Sequence, residues 1–245
     1  MEISMKNRVV LITGGSRGIG AELVRSFCSL GAKVYFTFKS NQQAAQEIMN
    51  STGAIGKKVD GSNEKEVKDF CDYVGKEHKV IDVLVNNAGS VPRALLVDTT
   101  VDVFKSAFLS NVGGVFNFSR SCLKYLLKSS YPSIINISSV ASNRPSRGLG
   151  VYCCTKGAIE SLSQVMALEF APYKIRVNTV APGLVKTEVS KDITDETKER
   201  ILERTPLKRF GEVQDIAGAV VFLASDMAKF ITGIQLYVTG GKHLN

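Results

Sequence analysis

Seven short runs that read as strands, most of them apolar, punctuate the chain, at Val9–Thr13, Lys33–Phe38, Ile55–Val59, Val83–Asn86, Ile134–Ser138, Ile175–Val180 and Ile234–Val238. Stretches with helical spacing of apolar residues separate most of them: Ile19–Leu30, Gln42–Ser51, Glu64–Glu77, one long helix over Val101–Lys128, Tyr152–Phe170 and Val213–Ala224. Strands that alternate with helices of ten or more residues require crossover connections and so a parallel sheet. Most of the strands are largely apolar, as expected where helices cover both faces. The spacing therefore predicts an α/β, doubly wound Rossmann-type fold with a seven-stranded parallel sheet. No linker divides the 245 residues, so residues 1–245 are read as one domain, with any ligand at the carboxyl ends of the strands.

The first strand runs into Thr13-Gly14-Gly15-Ser16-Arg17-Gly18-Ile19-Gly20. Glycines between a strand and a helix let backbone N–H groups approach a pyrophosphate, and the helix offers its positive end. The predicted ligand is a dinucleotide. An acid about twenty residues further on would bond the ribose of NAD and repel a 2′-phosphate. Residues Lys33 to Gln46 contain no acid, whereas Phe38 closes that strand, Lys39 follows it and Arg17 stands in the turn. Two cations without an anion favour NADP(H).

Tyr152 and Lys156 are four residues apart and share a face if the segment is helical. A free phenol titrates near 10, too high for proton transfer at neutral pH. An ammonium about 4 Å away is worth roughly 4 kcal/mol at an effective dielectric near 20, enough to bring the phenol into range. Ser139, at the end of an apolar strand, could bond the same reacting oxygen. By itself a Tyr-x-x-x-Lys pair is more often ordinary helix surface, so the rest of the chain has to support it.

Asn86-Asn87-Ala88-Gly89, Asn111, Ser139, Tyr152/Lys156 and Pro182-Gly183 follow the glycine turn in order. With them the chain resembles the classical short-chain dehydrogenase/reductase family over nearly its whole length. The resemblance implies that Tyr152 is the acid/base, that Lys156 lowers its pKa and holds the nicotinamide ribose, and that Ser139 orients the substrate oxygen. It implies that Asn111 holds a water linking Lys156 to solvent. It places Gly14, Ser16, Arg17, Gly18, Ile19, Gly20 and Lys39 around the cofactor. Asp60 and Gly61 fall beside adenine, and Asn87, Ala88 and Gly89 beside the central sheet. Pro182, Gly183, Val185 and Thr187 fall at the nicotinamide end, Thr187 on the carboxamide. Within the family the chain is most similar to the 3-oxoacyl-[acyl-carrier-protein] reductases, which implies an acyl-thioester ketone on a carrier protein or CoA. Reductases of other ketones (secondary metabolites, steroids, sugars) share the same motifs, and a catalytically retired nucleotide-binding fold is the third reading.

The chain departs from the pattern in three places. Thr239 stands before Gly240-Gly241, where the family usually has an aspartate. Ser129–Ser133 lacks basic residues for an acidic carrier. Cys153-Cys154 adjoins the tyrosine, where buried packing is the simpler reading and a redox role the sharper one.

Residues 184–209 follow the nicotinamide segment and are expected to cover the substrate. Their charges (Lys186, Glu188, Lys191, Asp192, Asp195, Glu196) name no substrate. The resemblance also implies a homotetramer pairing through the long fourth helix, the fifth helix and the last strand. The net charge of +8 suits anionic ligands. The cations are scattered and not interleaved with aromatics, which argues against nucleic acid. Nothing approaches a membrane span, MEISMKNRVV has no apolar signal core, and five cysteines without metal-ligand spacing suit a reducing cytoplasm, with no metal. His78 and His243 are read as surface residues, which leaves Ser139 without the histidine a hydrolase needs.

Overall fold

The computed structural model describes residues 3–190 and 193–245. Parallel strands β1 (Val9–Ile12), β2 (Lys33–Phe38), β3 (Ile55–Lys58), β4 (Val83–Asn86), β5 (Ser133–Ile137), β6 (Arg176–Pro182) and β7 (Gln235–Val238) form one sheet in the order β3-β2-β1-β4-β5-β6-β7. Chain order reverses between β1 and β4, which opens a crevice at their carboxyl ends.

Helices cover both faces. On one side, α1 (Gly18–Ser29), α2 (Gln42–Thr52) and α8 (Val213–Ala224) pack through Leu23, Phe27, Ile48, Val220 and Leu223. On the other, α3 (Glu64–His78), α5 (Gly114–Leu126) and α6 (Gly150–Phe170) bury Val67, Val74, Phe118, Leu126 and Ile159. Each such side chain contributes about 1.5–3 kcal/mol on leaving water. Successive residues of β1 serve opposite cores, Val10 and Ile12 one, Val9 and Leu11 the other. That is why these strands read as largely apolar runs.

The long helix expected over Val101–Lys128 runs unbroken over Val101–Leu126 but is not α-helical throughout. It comprises α4 (Val101–Phe108), a π-turn over Leu109–Gly113, and α5. The extra residue carries Asn111 inward, where it is fully buried. Between β4, β5, α5 and α6, Asn86 Nδ2 donates to Asn136 Oδ1 at 2.8 Å and Asn136 Nδ2 to Ser163 Oγ at 2.8 Å. With a further bond from Asn86 Nδ2 to Ser119 Oγ at 3.2 Å, this buried polar chain ties both helices to the sheet behind the crevice. Among the described residues, no helix is long and apolar enough to cross a membrane.

Candidate active site

The glycine turn is built around Thr13. Its Oγ1 accepts from the backbone N–H of both Asn87 and Ala88 at 2.9 Å. Asn87 Nδ2 returns bonds to the carbonyls of Thr13 and Gly14, at 3.0 and 3.1 Å. The ends of β1 and β4 are thus clamped together. Thr13 was not singled out in the sequence, although its place at the start of the turn is the signal that could have found it.

The turn fits a dinucleotide. Gly14 and Gly18 have φ of 69° and 53°, conformations that side chains resist. A Cβ on Gly20 would stand 2.0 Å from the Gly14 carbonyl oxygen. The first turn of α1 has neither a side-chain cap nor an acidic residue, so its N–H groups remain available to an anion, with Ser16 and Ile19 half-buried alongside.

Lys39 and Asp60 are brought together: Nζ lies 2.7 Å from Oδ2. The sequence showed no acid near Lys39, but Asp60 arrives from the end of β3. Burial raises the Asp60 carboxyl, and bonds from Lys39 and Ser62 more than reverse this, leaving it below the usual range. Gly61 is fixed by Asn117, whose Nδ2 donates to its carbonyl at 3.0 Å. Arg17 is likewise partnered, 3.4 Å from Glu188. The two cations expected to stand free are each paired.

Beyond β6, Pro182 ends the strand, and a Cβ on Gly183 would lie 3.0 Å from Thr239 Cα. Thr187 packs over the glycine turn, its Cγ2 3.4 Å from where a Gly18 Cβ would sit. Val185 differs: its side chain is buried in the core, leaving only backbone to face a ligand. Lys191 and Asp192 lie outside the described residues.

Tyr152 and Lys156 share the first turns of α6. Lys156 Nζ donates to the Ile137 carbonyl at 2.7 Å and lies 5.7 Å from the Tyr152 ring centroid. Burial of the ammonium lowers its pKa to about 8, against an opposing pull from Glu160. For Tyr152, burial raises the phenol, and a hydrogen bond with Ser139 acts the other way. The expected activation of the phenol by an ammonium about 4 Å away is therefore not the state found: Lys156 is not among the groups that shift it, and burial leaves the phenol above its ordinary value. The pair at rest is a neutral phenol beside a cation at neutral pH, the protonation that a proton donor needs. Ser139 itself is oriented by the short helix Val140–Ser142, whose Ala141 N–H donates to its Oγ at 3.2 Å.

Asn111 Oδ1 accepts from Ser90 N at 2.7 Å, and its Nδ2 donates to the Ser90 carbonyl and to Thr155 Oγ1, at 2.9 and 3.0 Å. It joins the loop after Gly89 to α6, one residue before Lys156. Its side-chain polar groups are occupied, so any water relay at this position falls to its main chain.

Glu160, one turn beyond Lys156, was not anticipated. Its carboxylate accepts from Ser138 Oγ at 2.6 Å and also from Ser142 Oγ and Gln235 Nε2. These bonds hold the residues on either side of Ser139 and tie them to β7. Replacing Glu160 with glutamine removes the charge that favours the Lys156 ammonium. The alkaline limb of the kcat/KM profile, expected near pH 8 from Lys156, should therefore move to lower pH. A pH-rate series on both proteins checks this.

The remaining side chains revise several expectations. Cys153 is half-buried but Cys154 is exposed, so helix packing does not account for the second. His78 is bonded to the Tyr35 hydroxyl at 2.7 Å. His243 stacks on Tyr237 at 4.5 Å and bonds Thr239 Oγ1 at 2.8 Å, a pair that occupies the place of the usual aspartate.

Comparison with known proteins decides the family. The profile described as "Enoyl-(Acyl carrier protein) reductase" matches residues 14–243. The chain belongs to the short-chain dehydrogenase/reductase family. It is 35% identical over 243 residues to the 3-oxoacyl-[acyl-carrier-protein] reductase of Haemophilus influenzae, covering 98% of this chain and all of that one. The Escherichia coli protein of the same name is 33% identical over 244 residues, with 99% and 100% coverage. A short-chain type dehydrogenase/reductase from Mycobacterium ulcerans superposes with a TM-score of 0.94 at 29% identity, over 99% of this chain and 92% of the other. A 7α-hydroxysteroid dehydrogenase in complex with NADH and 7-oxo glycochenodeoxycholic acid gives 0.93 at 31% identity, over 97% and 95%. The fold is accordingly a single-domain Rossmann fold, and the chain is an oxidoreductase of this family using a nicotinamide cofactor.

Proposed function

We propose that the chain is an NADPH-dependent reductase of a ketone, most specifically of a 3-oxoacyl thioester carried by CoA or a carrier protein. The observation that carries the reaction type is the Ser139–Tyr152–Lys156 arrangement beside a glycine turn built for a dinucleotide. The cofactor, when bound, supplies the hydride. Tyr152 gives its proton to the carbonyl oxygen, Ser139 holds that oxygen, and Lys156 keeps positive charge close to the phenol. Preorganised donors around an oxygen that gains negative charge lower the barrier. Asn111 fixes the Gly89–Ser90 loop against α6, and its main chain carries the water relay to Lys156. Gly14, Ser16, Gly18, Ile19 and Gly20 cradle the pyrophosphate, with Asp60, Gly61, Asn87, Ala88 and Gly89 along the adenosine and ribose. Pro182, Gly183, the backbone of Val185, and Thr187 hold the nicotinamide end. Residues 184–209 cover the substrate, which the position of Thr187 over the glycine turn supports.

The preference for NADPH rests on Arg17 in the turn and Lys39 just after the neighbouring strand, with no acid in residues 33–46. A 2′-phosphate would draw them from Glu188 and Asp60, exposed or half-exposed pairs of little strength. Replacing both cations with alanine should weaken NADPH relative to NADH by about tenfold or more; an unchanged ratio of kcat/KM values would remove their role. The thioester is supported by the full-length relatives named for it. The steroid enzyme, with a TM-score of 0.93, keeps a second reading, another secondary alcohol and its ketone. A panel of acetoacetyl-CoA, steroid, sugar and simple ketones separates them: the thioester should have the highest kcat/KM, and a preferred steroid or sugar would install the second reading.

The proposal places the enzyme in the cytoplasm as a homotetramer. Leu109, Phe116, Val165 and Leu168 on the outer faces of the π-turn, α5 and α6, and Phe230 before β7, are apolar and exposed, which supports pairing there.

A further inference from the structure

The carboxyl edge of the sheet carries a second group of side chains that the proton and hydride chemistry leaves unused. Three segments meet beside the end of β7. The loop after Ser139 contributes Arg144, α7 (Asp195–Glu203) and its C-cap contribute Arg200 and Arg204, and the turn after β7 contributes Lys242. Packing holds these segments together. Asn143 Nδ2 donates to the Tyr237 hydroxyl at 2.7 Å, which ties the Arg144 loop to β7. Asn245 Nδ2 donates to the Arg204 carbonyl at 3.3 Å, and Leu207 N to the Gly240 carbonyl at 3.1 Å. A Cβ on Gly241 would stand 2.8 Å from Pro206, so the C-terminal turn lies directly on the segment after α7.

Charge at this junction is one-sided. Lys242 is half-buried, and the charges acting on it are Arg204, Arg144 and Arg200, with no carboxylate among them. Among the described residues none of the four makes a salt bridge, and the acids of α7, Glu196, Glu199 and Glu203, do not reach them. Nearby cations behave differently: Lys186, Lys198 and Arg209 each hold a carboxylate, at 2.6, 2.8 and 2.6 Å. The three arginines are exposed and free of carboxylate partners within salt-bridge distance, so an anion bound at this junction would meet cations alone. Guanidinium groups bind phosphate through two parallel hydrogen bonds, so three arginines and a lysine suit a phosphate group.

β5, β6 and β7 are adjacent and parallel, so this cluster lies on the same edge as Ser139, Pro182 and Gly183, on the side away from the glycine turn. The turn already accounts for the cofactor's phosphates. The second anionic group would come from the substrate side. Resting on the thioester reading above, we propose that Arg144, Arg200, Arg204 and Lys242 form an anion subsite for the phosphate that ends the pantetheine arm of the acyl thioester. That phosphate belongs to CoA in one case and joins the arm to a carrier protein in the other. It also gives a basic contact for a carrier in a chain whose Ser129–Ser133 segment has none.

The test compares three acetoacetyl esters, of CoA, of a holo acyl carrier protein and of N-acetylcysteamine, which lacks the phosphate. In the Arg204→Gln/Lys242→Gln variant, KM for the CoA ester should rise about tenfold or more with kcat little changed. The N-acetylcysteamine ester should keep its KM. A parallel rise for the carrier ester extends the subsite to both sources; a rise confined to the CoA ester assigns it to CoA alone. Equal changes on CoA and N-acetylcysteamine esters, or none on either, overturn the proposal. Inhibition by phosphopantetheine provides a readout independent of turnover: it should be competitive with the thioester and weaken about tenfold in the variant. Should the wild-type chain reduce none of the three esters, the thioester reading itself fails and the subsite falls with it. Activity on the N-acetylcysteamine ester distinguishes that result from failure of the subsite alone.

Discussion

Tyr152→Phe should lower kcat by about 10²–10⁴-fold, or about 3–5 kcal/mol of transition-state stabilisation, while leaving NADPH binding near its original strength. The substitution deletes one hydroxyl and keeps the ring, so the packing at the start of α6 changes little. What disappears is the proton and the hydroxyl that faces Ser139. Burial keeps the phenol protonated at rest, so the loss should extend across neutral pH and not only to its alkaline side. Steady-state rates with a 3-oxoacyl thioester, beside NADPH titration by fluorescence, measure both quantities. Turnover within a factor of a few of the parent would move the proton donor to another group.

Gly20→Ala should abolish dinucleotide binding. The added methyl would stand 2.0 Å from the Gly14 carbonyl oxygen and 2.6 Å from Asn87 Nδ2. Neither is a flexible side-chain end: one is the backbone of the glycine turn, the other is bonded twice to that turn. The turn or α1 must move, at about 1–3 kcal/mol or more for overpacking, and N–H groups aimed at the pyrophosphate move with it. Gly53→Ala is the matched control. Gly53 has φ of 73° but no atom within 4 Å of an added Cβ, so it tests backbone strain alone. Thermal unfolding with and without NADPH should show both variants less stable, with only the Gly53 variant still stabilised by the cofactor. A Gly20→Ala protein that NADPH stabilises as it does the parent would contradict the role of the turn.

The alternation of apolar strands and amphipathic helices was legible because a buried parallel sheet needs largely apolar runs, which β1 supplies without a break and β4 and β5 supply apart from Asn86, Ser133 and Asn136. The glycine turn was legible because backbone geometry demands glycine there. Other features left weaker marks. Leu109–Gly113 reads as ordinary helix, since a π-turn adds one residue without changing residue type; Gly113-Gly114 is its faint trace. Lys39 and Asp60 are neighbours only because β2 and β3 lie side by side, so a window along the sequence shows the cation without its anion. Glu160 resembles any helix-surface acid until β5, the loop after Ser139 and β7 converge on it. The protonation of Tyr152 depends on how deeply the fold buries it, which the spacing to Lys156 does not encode.

The most direct measurement follows the hydride. The enzyme is incubated with acetoacetyl-CoA and NADPH carrying deuterium at the transferable position, with labelled NADH as comparator, and the product is analysed by mass spectrometry. The account predicts 3-hydroxybutyryl-CoA with deuterium on the carbon that bore the ketone, formed much faster from NADPH than from NADH. Unlabelled acetoacetyl-CoA left intact, while a steroid or sugar ketone in the same assay takes up the deuterium, would contradict it.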